Sequence, residues 1–158
     1  MSQFLVAIST WLHTLATIVF IGYYVLLALV YLPAMPEGES ANTTGATLSG
    51  ISKRSRVWLY SSLLVFILTG TYLMLIDPSY LGLMNFGNLW GILMLTKHIL
   101  VLGMVALGFW FNAILRVGPM MMSNNGASQA IARFRWYVNA MSILGVAVLL
   151  LTAFAQVQ

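Results

Sequence analysis

Three side chains carry most of the chemistry open to this sequence: His13, Lys97 and His98. Each lies in an apolar run, where an imidazole or an ammonium group needs a specific reason to be kept. A lysine near the middle of a membrane helix costs roughly 2.5 to 3.5 kcal/mol on insertion scales. His13 stands about nine residues into the first apolar run and His98 about nine into the third, so at 1.5 Å per residue both rings are expected roughly 13 Å from the same end of their helices. Two inward rings at one depth on diagonal helices can approach one ligand from opposite sides.

Three kinds of chemistry fit that pattern. A b-type haem would take His13 and His98 as axial ligands, and Lys97, next to one of them, would pair with a propionate. A Cu(I) site would add Met94, four residues before His98 on the same helix face, and Met74 at the end of the second run. The ten methionines also serve as core filler. In the third case the histidines bond to neighbouring helices and Lys97 extends alone toward the interface. Helical spacing puts Thr10, Thr17, Phe20, Tyr24 and Tyr31 on the His13 stripe, and Met94, Val105, Phe109, Asn112 and Arg116 near the His98 stripe.

Composition excludes several other classes. The chain has 158 residues, 61% hydrophobic and 6% charged, far from the quarter charged of a soluble domain. With no cysteine, disulfides, thiolate zinc sites, Cys-ligated iron–sulfur clusters and covalent c-type haem are excluded. The only carboxylates are Glu37, Glu39 and Asp77, in expected loops or at a helix end, and no acid–base pair, nucleophile triad or phosphate loop is present. Any reaction would belong to a cofactor. The basic residues are split among short membrane-flanking segments, which argues against nucleic acid as a partner.

The elements that must position these residues are four apolar runs, 4–32, 57–76, 89–115 and 136–155, each long enough to span a bilayer as a helix. The expected fold is therefore all-α: a single up-down four-helix transmembrane domain over 1–158. Residues 33–55 and 117–128 read as solvated loops from their Gly, Ser, Thr and Pro content. Lys53, Arg54, Arg56, Arg116, Arg133 and Arg135 flank the first and third connections, and the second has no Lys or Arg. The positive-inside rule then predicts a bacterial-type inner membrane protein with both termini periplasmic. Trp11, Trp58, Trp90 and Trp136 lie near helix ends, where interfacial anchors are expected.

The two halves are weakly alike. "WLHTLATIVFIGYY" matches "TKHILVLGMVALGFW" in setting a histidine nine or ten residues ahead of a Gly and two aromatics, and Leu68-Thr69 and Leu151-Thr152 sit late in the following helices. Two helical hairpins related by an axis along the membrane normal are expected.

The chain also resembles the membrane domain of the copper resistance protein D (CopD) family. The matching stretches are "LHTLATIVFIG" with His13 and Gly22, "KRSRVWLYSSLLVFILTG", and "LWGILMLTKHILVLGMVALGFWFNAILRVGP" with Lys97 and Asn112. The family name implies copper uptake across the inner membrane. A more distant likeness is to the haem-containing protoporphyrinogen oxidase of bacterial membranes, which combines a helix 1 histidine with a helix 3 lysine, here His13 and Lys97. The chain departs from that group at "YLP", which comes later after His13 and is not followed by the expected basic residue.

These residues lead to the expectation of a membrane b-type haem protein passing single electrons near the outer face, with membrane quinol as donor. Copper handling is the alternative. A further alternative is an accessory subunit of a larger respiratory or photosynthetic complex, or of a homo-oligomer.

Overall fold

A computed structural model describes residues 2–35, 41–80, 82, 87–111 and 127–157. Among the described residues there are four α-helices and no strand: α1 (Gln3–Leu26), α2 (Ala41–Ile76), α3 (Leu89–Phe109) and α4 (Ala127–Ala155). A π-helical turn, Leu27–Tyr31, prolongs α1 and is closed by the Leu32 N–H donating to the Leu27 carbonyl at 2.9 Å. The fold is all-α, and all four helices are long and apolar enough to cross a membrane.

The helices form two hairpins, α1 with α2 and α3 with α4, joined mainly through α1 and α4. α3 packs on α4 and scarcely touches α1 or α2. Leu27, Leu48, Met104, Val138 and Met141 are fully buried where the hairpins meet, while Ile18, Leu64, Leu102 and Ile143 face outward, as a lipid-facing surface requires. α1 and α4 come close at Gly145, where an added Cβ would stand 2.7 Å from Ile21 Cγ2. Only a residue without a side chain lets α1 and α4 approach this closely.

The start of α3 is fixed by its own sequence. Asn88 is extended, its Oδ1 accepts the Gly91 N–H at 2.8 Å, and its side-chain amide donates to the Ser79 carbonyl at 3.0 Å. Asp77 Oδ1 accepts the Ser79 N–H at 2.9 Å, which turns the chain at the end of α2. Gly82, at φ +111°, takes a conformation that side chains strongly disfavour.

Three expectations are corrected. Residues 41–55 belong to α2 and are not a loop. Their buried stripe runs Thr44, Leu48, Ile51, Ser55, Leu59, Ser62 at helical period, and Leu48 is 0% exposed. Half of that stripe is hydroxyl residues; Ser55 donates to the Ile51 carbonyl and Ser62 to the Leu59 carbonyl, both at 2.9 Å, so these side chains are buried without an unmet bond. α4 likewise begins at Ala127, and Arg133 and Arg135 lie within it. Trp90 is buried against Tyr80, with ring centroids 6.4 Å apart; Trp11, Trp58 and Trp136 are exposed, and the longer α2 and α4 put Trp58 and Trp136 inside their helices, away from the ends. Glu37, Glu39, Asn112, Arg116, the loop 117–126 and the last residues of the third predicted run fall outside the described residues.

Candidate functional site

His13 is half-buried on α1 and clamped by α2. Its Nδ1 lies 3.0 Å from Thr69 Oγ1, and its ring stacks on Phe66 with centroids 4.6 Å apart and planes at 22°. The Phe66 carbonyl is also within hydrogen-bonding reach of the ring. Gly70 completes the clamp: a Cβ there would stand 2.9 Å from His13 Cε1. Thr69 has a single hydroxyl proton, and the Val65 carbonyl takes it at 2.6 Å. Thr69 Oγ1 therefore accepts from His13, which fixes the proton on Nδ1 and leaves the Nε2 lone pair open.

His98 reaches the same state by a different contact. Its Nδ1 lies 2.6 Å from the Met94 carbonyl, an acceptor only, so Nδ1 carries the proton and Nε2 again offers a lone pair. Both histidines thus have one nitrogen engaged as a donor and the other open, the arrangement that orients histidine ligands. No hydrogen bond or ring contact joins the two rings among the described residues. The stripe drawn around them holds for Phe20 and Tyr24, which are buried, and for Thr17, which is half-buried and donates to the His13 carbonyl at 2.7 Å. It fails for Thr10, Tyr31 and Phe109, which are exposed: α1 is tilted onto α2, and α3 turns one face to α4 alone.

Lys97 is half-buried, and its charge acts on His13. Asp77, at the end of α2, lies within electrostatic range of the same ammonium. The structure thus gathers His13, Lys97 and Asp77 at one end of the bundle, where sequence reading had assigned Asp77 no partner. Met94 contributes its carbonyl to His98, and Met74 is half-buried at the same end of α2. No three His, Cys, Asp or Glu side chains converge to hold a metal ion among the described residues.

The other end of the bundle holds a cavity of about 460 Å³ that contains neither histidine. All four helices line it, with Tyr23, Tyr24, Tyr60, Tyr137 and Ser52 as its hydroxyl groups and Arg56 as its charge. Tyr24 and Tyr137 share a buried hydrogen bond of 2.8 Å, and Tyr137 stacks on Phe111 with centroids 4.1 Å apart. The sequence signal was available: Tyr60 and Tyr137 lie within four residues of Arg56 and Arg135. Comparison with protein-family models, with curated proteins and with solved structures finds no match for this chain.

Proposed function

We propose that this chain is a membrane redox protein that binds a b-type haem through Nε2 of His13 and Nε2 of His98, and that it accepts single electrons from a membrane quinol. The observation that carries the reading is the shared tautomer. Two half-buried imidazoles, each on a different hairpin and counted to a similar depth, both have Nδ1 engaged and Nε2 open. That donor set fits a haem iron, which His13 and His98 would hold through neutral imidazole nitrogens and which would supply a one-electron couple when bound. The protein's own part is to hold the rings, exclude water and set the local charge. Lys97 supplies the cation at this depth, balanced by Asp77 and available to a propionate.

The test is the visible spectrum of the purified protein, oxidised and then reduced. Low-spin haem bands are expected, and His13→Ala and His98→Ala should each abolish them. Copper in place of haem, with Met94→Leu and Met74→Leu as damaging as the histidine variants, would replace this reading with copper handling of the CopD kind. Neither haem nor metal in undenatured protein would leave the accessory-subunit reading. In our reading the basic end faces the cytoplasm of a bacterial inner membrane, and reporter fusions at Gln158 active only in the cytoplasm would reverse it.

A further inference from the structure

The cavity at the basic end is built from donors. Tyr24 and Tyr137 have two hydroxyl protons between them and one mutual hydrogen bond, so one proton is left for a third atom. Both residues are buried, 6% and 5% exposed, so that proton is directed within the bundle and away from solvent. Tyr23 lies beside Ser55. Nearer the mouth are Ser52, Tyr60 and the guanidinium of Arg56. Asp77, the one carboxylate among the described residues, stands at the far end of α2, about 31 Å from Arg56 along the helix. An occupant that completes this lining brings acceptors to two places, one deep at the tyrosine pair and one at Arg56.

The walls limit its shape. Phe20, Phe111, Phe134 and Tyr137 present aromatic surface, and the volume is in the range of small-molecule sites. α3 scarcely touches α2, and Tyr60 and Phe109, both in the lining, are 60% and 68% exposed along that gap. The cavity therefore opens sideways, toward the surface that meets lipid. A saturated acyl chain would leave the deep hydroxyl proton and Arg56 unmatched. A small soluble anion would leave the aromatic walls unfilled.

We propose that this cavity binds the ring of a 1,4-quinone, with one carbonyl at the Tyr24–Tyr137 pair, the other toward Arg56, and the tail leaving between α2 and α3. That the reduced form, the quinol, donates electrons rests on the redox reading above; the quinone's seat in the cavity does not.

The test is equilibrium dialysis of the full chain in lipid nanodiscs against a decyl-tailed 1,4-benzoquinone, with empty nanodiscs measuring simple partition. One quinone per protein is expected above partition. Gly108→Leu fills the cavity from α3, where an added Cβ meets only Tyr137 Oη at 3.6 Å, and should abolish the excess. Tyr137→Phe and Arg56→Gln should each weaken binding by about three- to tenfold, the worth of one hydrogen bond. The proposal is overturned by no excess over empty nanodiscs, or by equal displacement with decylbenzene, which has the tail and no carbonyls. It is also overturned by unchanged binding in a Gly108→Leu protein that keeps its helical circular dichroism. Should Gly108→Leu not fold, unchanged affinity in both Tyr137→Phe and Arg56→Gln overturns it. Dialysis reads no haem and the absorption spectrum reads no quinone, so the two readings fail separately.

Discussion

In the first hairpin His13 crosses to α2, where Thr69 accepts its proton and Phe66 stacks on its ring. In the second hairpin His98 turns back onto its own helix and donates to the Met94 carbonyl. The facing threonine of that hairpin, Thr152, donates to the Val148 carbonyl at 2.8 Å, just as Thr69 donates to that of Val65. The sequences differ at the next position: Leu68-Thr69-Gly70 corresponds to Leu151-Thr152-Ala153. Gly70 provides the space that the His13 ring enters, whereas Ala153 is exposed and the His98 ring is held by the Met94 carbonyl of its own helix. The missing Cβ at position 70 is what lets His13 be held between helices. His13 is rigid and costly to move; His98 keeps its rotamer by a single local bond.

The largest effect is expected where the hairpins meet. Gly145→Ala presses a methyl into Ile21, whose branched Cγ2 sits close to its backbone and yields little. A loss of about 1–3 kcal/mol is expected from overpacking, read from thermal melts in detergent. A stability equal to wild type would mean that α1 and α4 can separate at this crossing without loss.

Gly70→Ala is expected to make the first hairpin resemble the second. The ring must leave its place, at a cost of about 1–2 kcal/mol, partly offset by the better helix propensity of alanine. Nitrogen-15 spectra of the imidazoles should show the His13 tautomer lost and that of His98 unchanged. Ala153→Gly should cost only the propensity difference, about 0.5–1 kcal/mol. Equal costs at the two positions would break the comparison.

The smallest effects concern the threonines. Thr69→Val removes the acceptor for His13 and should cost about 1 kcal/mol. Thr152→Val removes only a bond to its own helix and should be close to neutral. If both are neutral, the His13 tautomer is set by Phe66 rather than by Thr69. Lys97→Met sharpens the charge side of the comparison, since Lys97 acts on His13. With haem bound it should lower the midpoint potential by tens of millivolts if ~1 kcal/mol of coupling is lost. An unchanged potential at full occupancy would assign Lys97 wholly to Asp77.

The apolar runs made four helices legible because twenty apolar residues in a row admit few other forms. The beginning of α2 was not legible, since Thr44 and Ser55 keep the helical period with hydroxyls, which a count of apolar residues passes over. Depth counting put His13 and His98 at one level, but it sets Asp77 at the end of its run and Lys97 about 12 Å further in, so their proximity was not legible. What no count along single helices could give was the cavity. It depends on α3 leaning on α4 and away from α2, a property of how helices pack and not of any one helix.

The length of α2 has a mechanical meaning. α2 has 36 residues, about 54 Å, against the roughly 30 Å of a bilayer's hydrocarbon. In a membrane that its apolar half crosses without steep tilt, some 20 Å of α2 stands outside the hydrocarbon at the basic end. α2 contains no proline to break it. In that placement it runs from the aqueous phase to the grip on His13 through Thr69. A load that tilted its wet end by about 5° would move the far end by several ångströms, and the imidazole would be displaced with it.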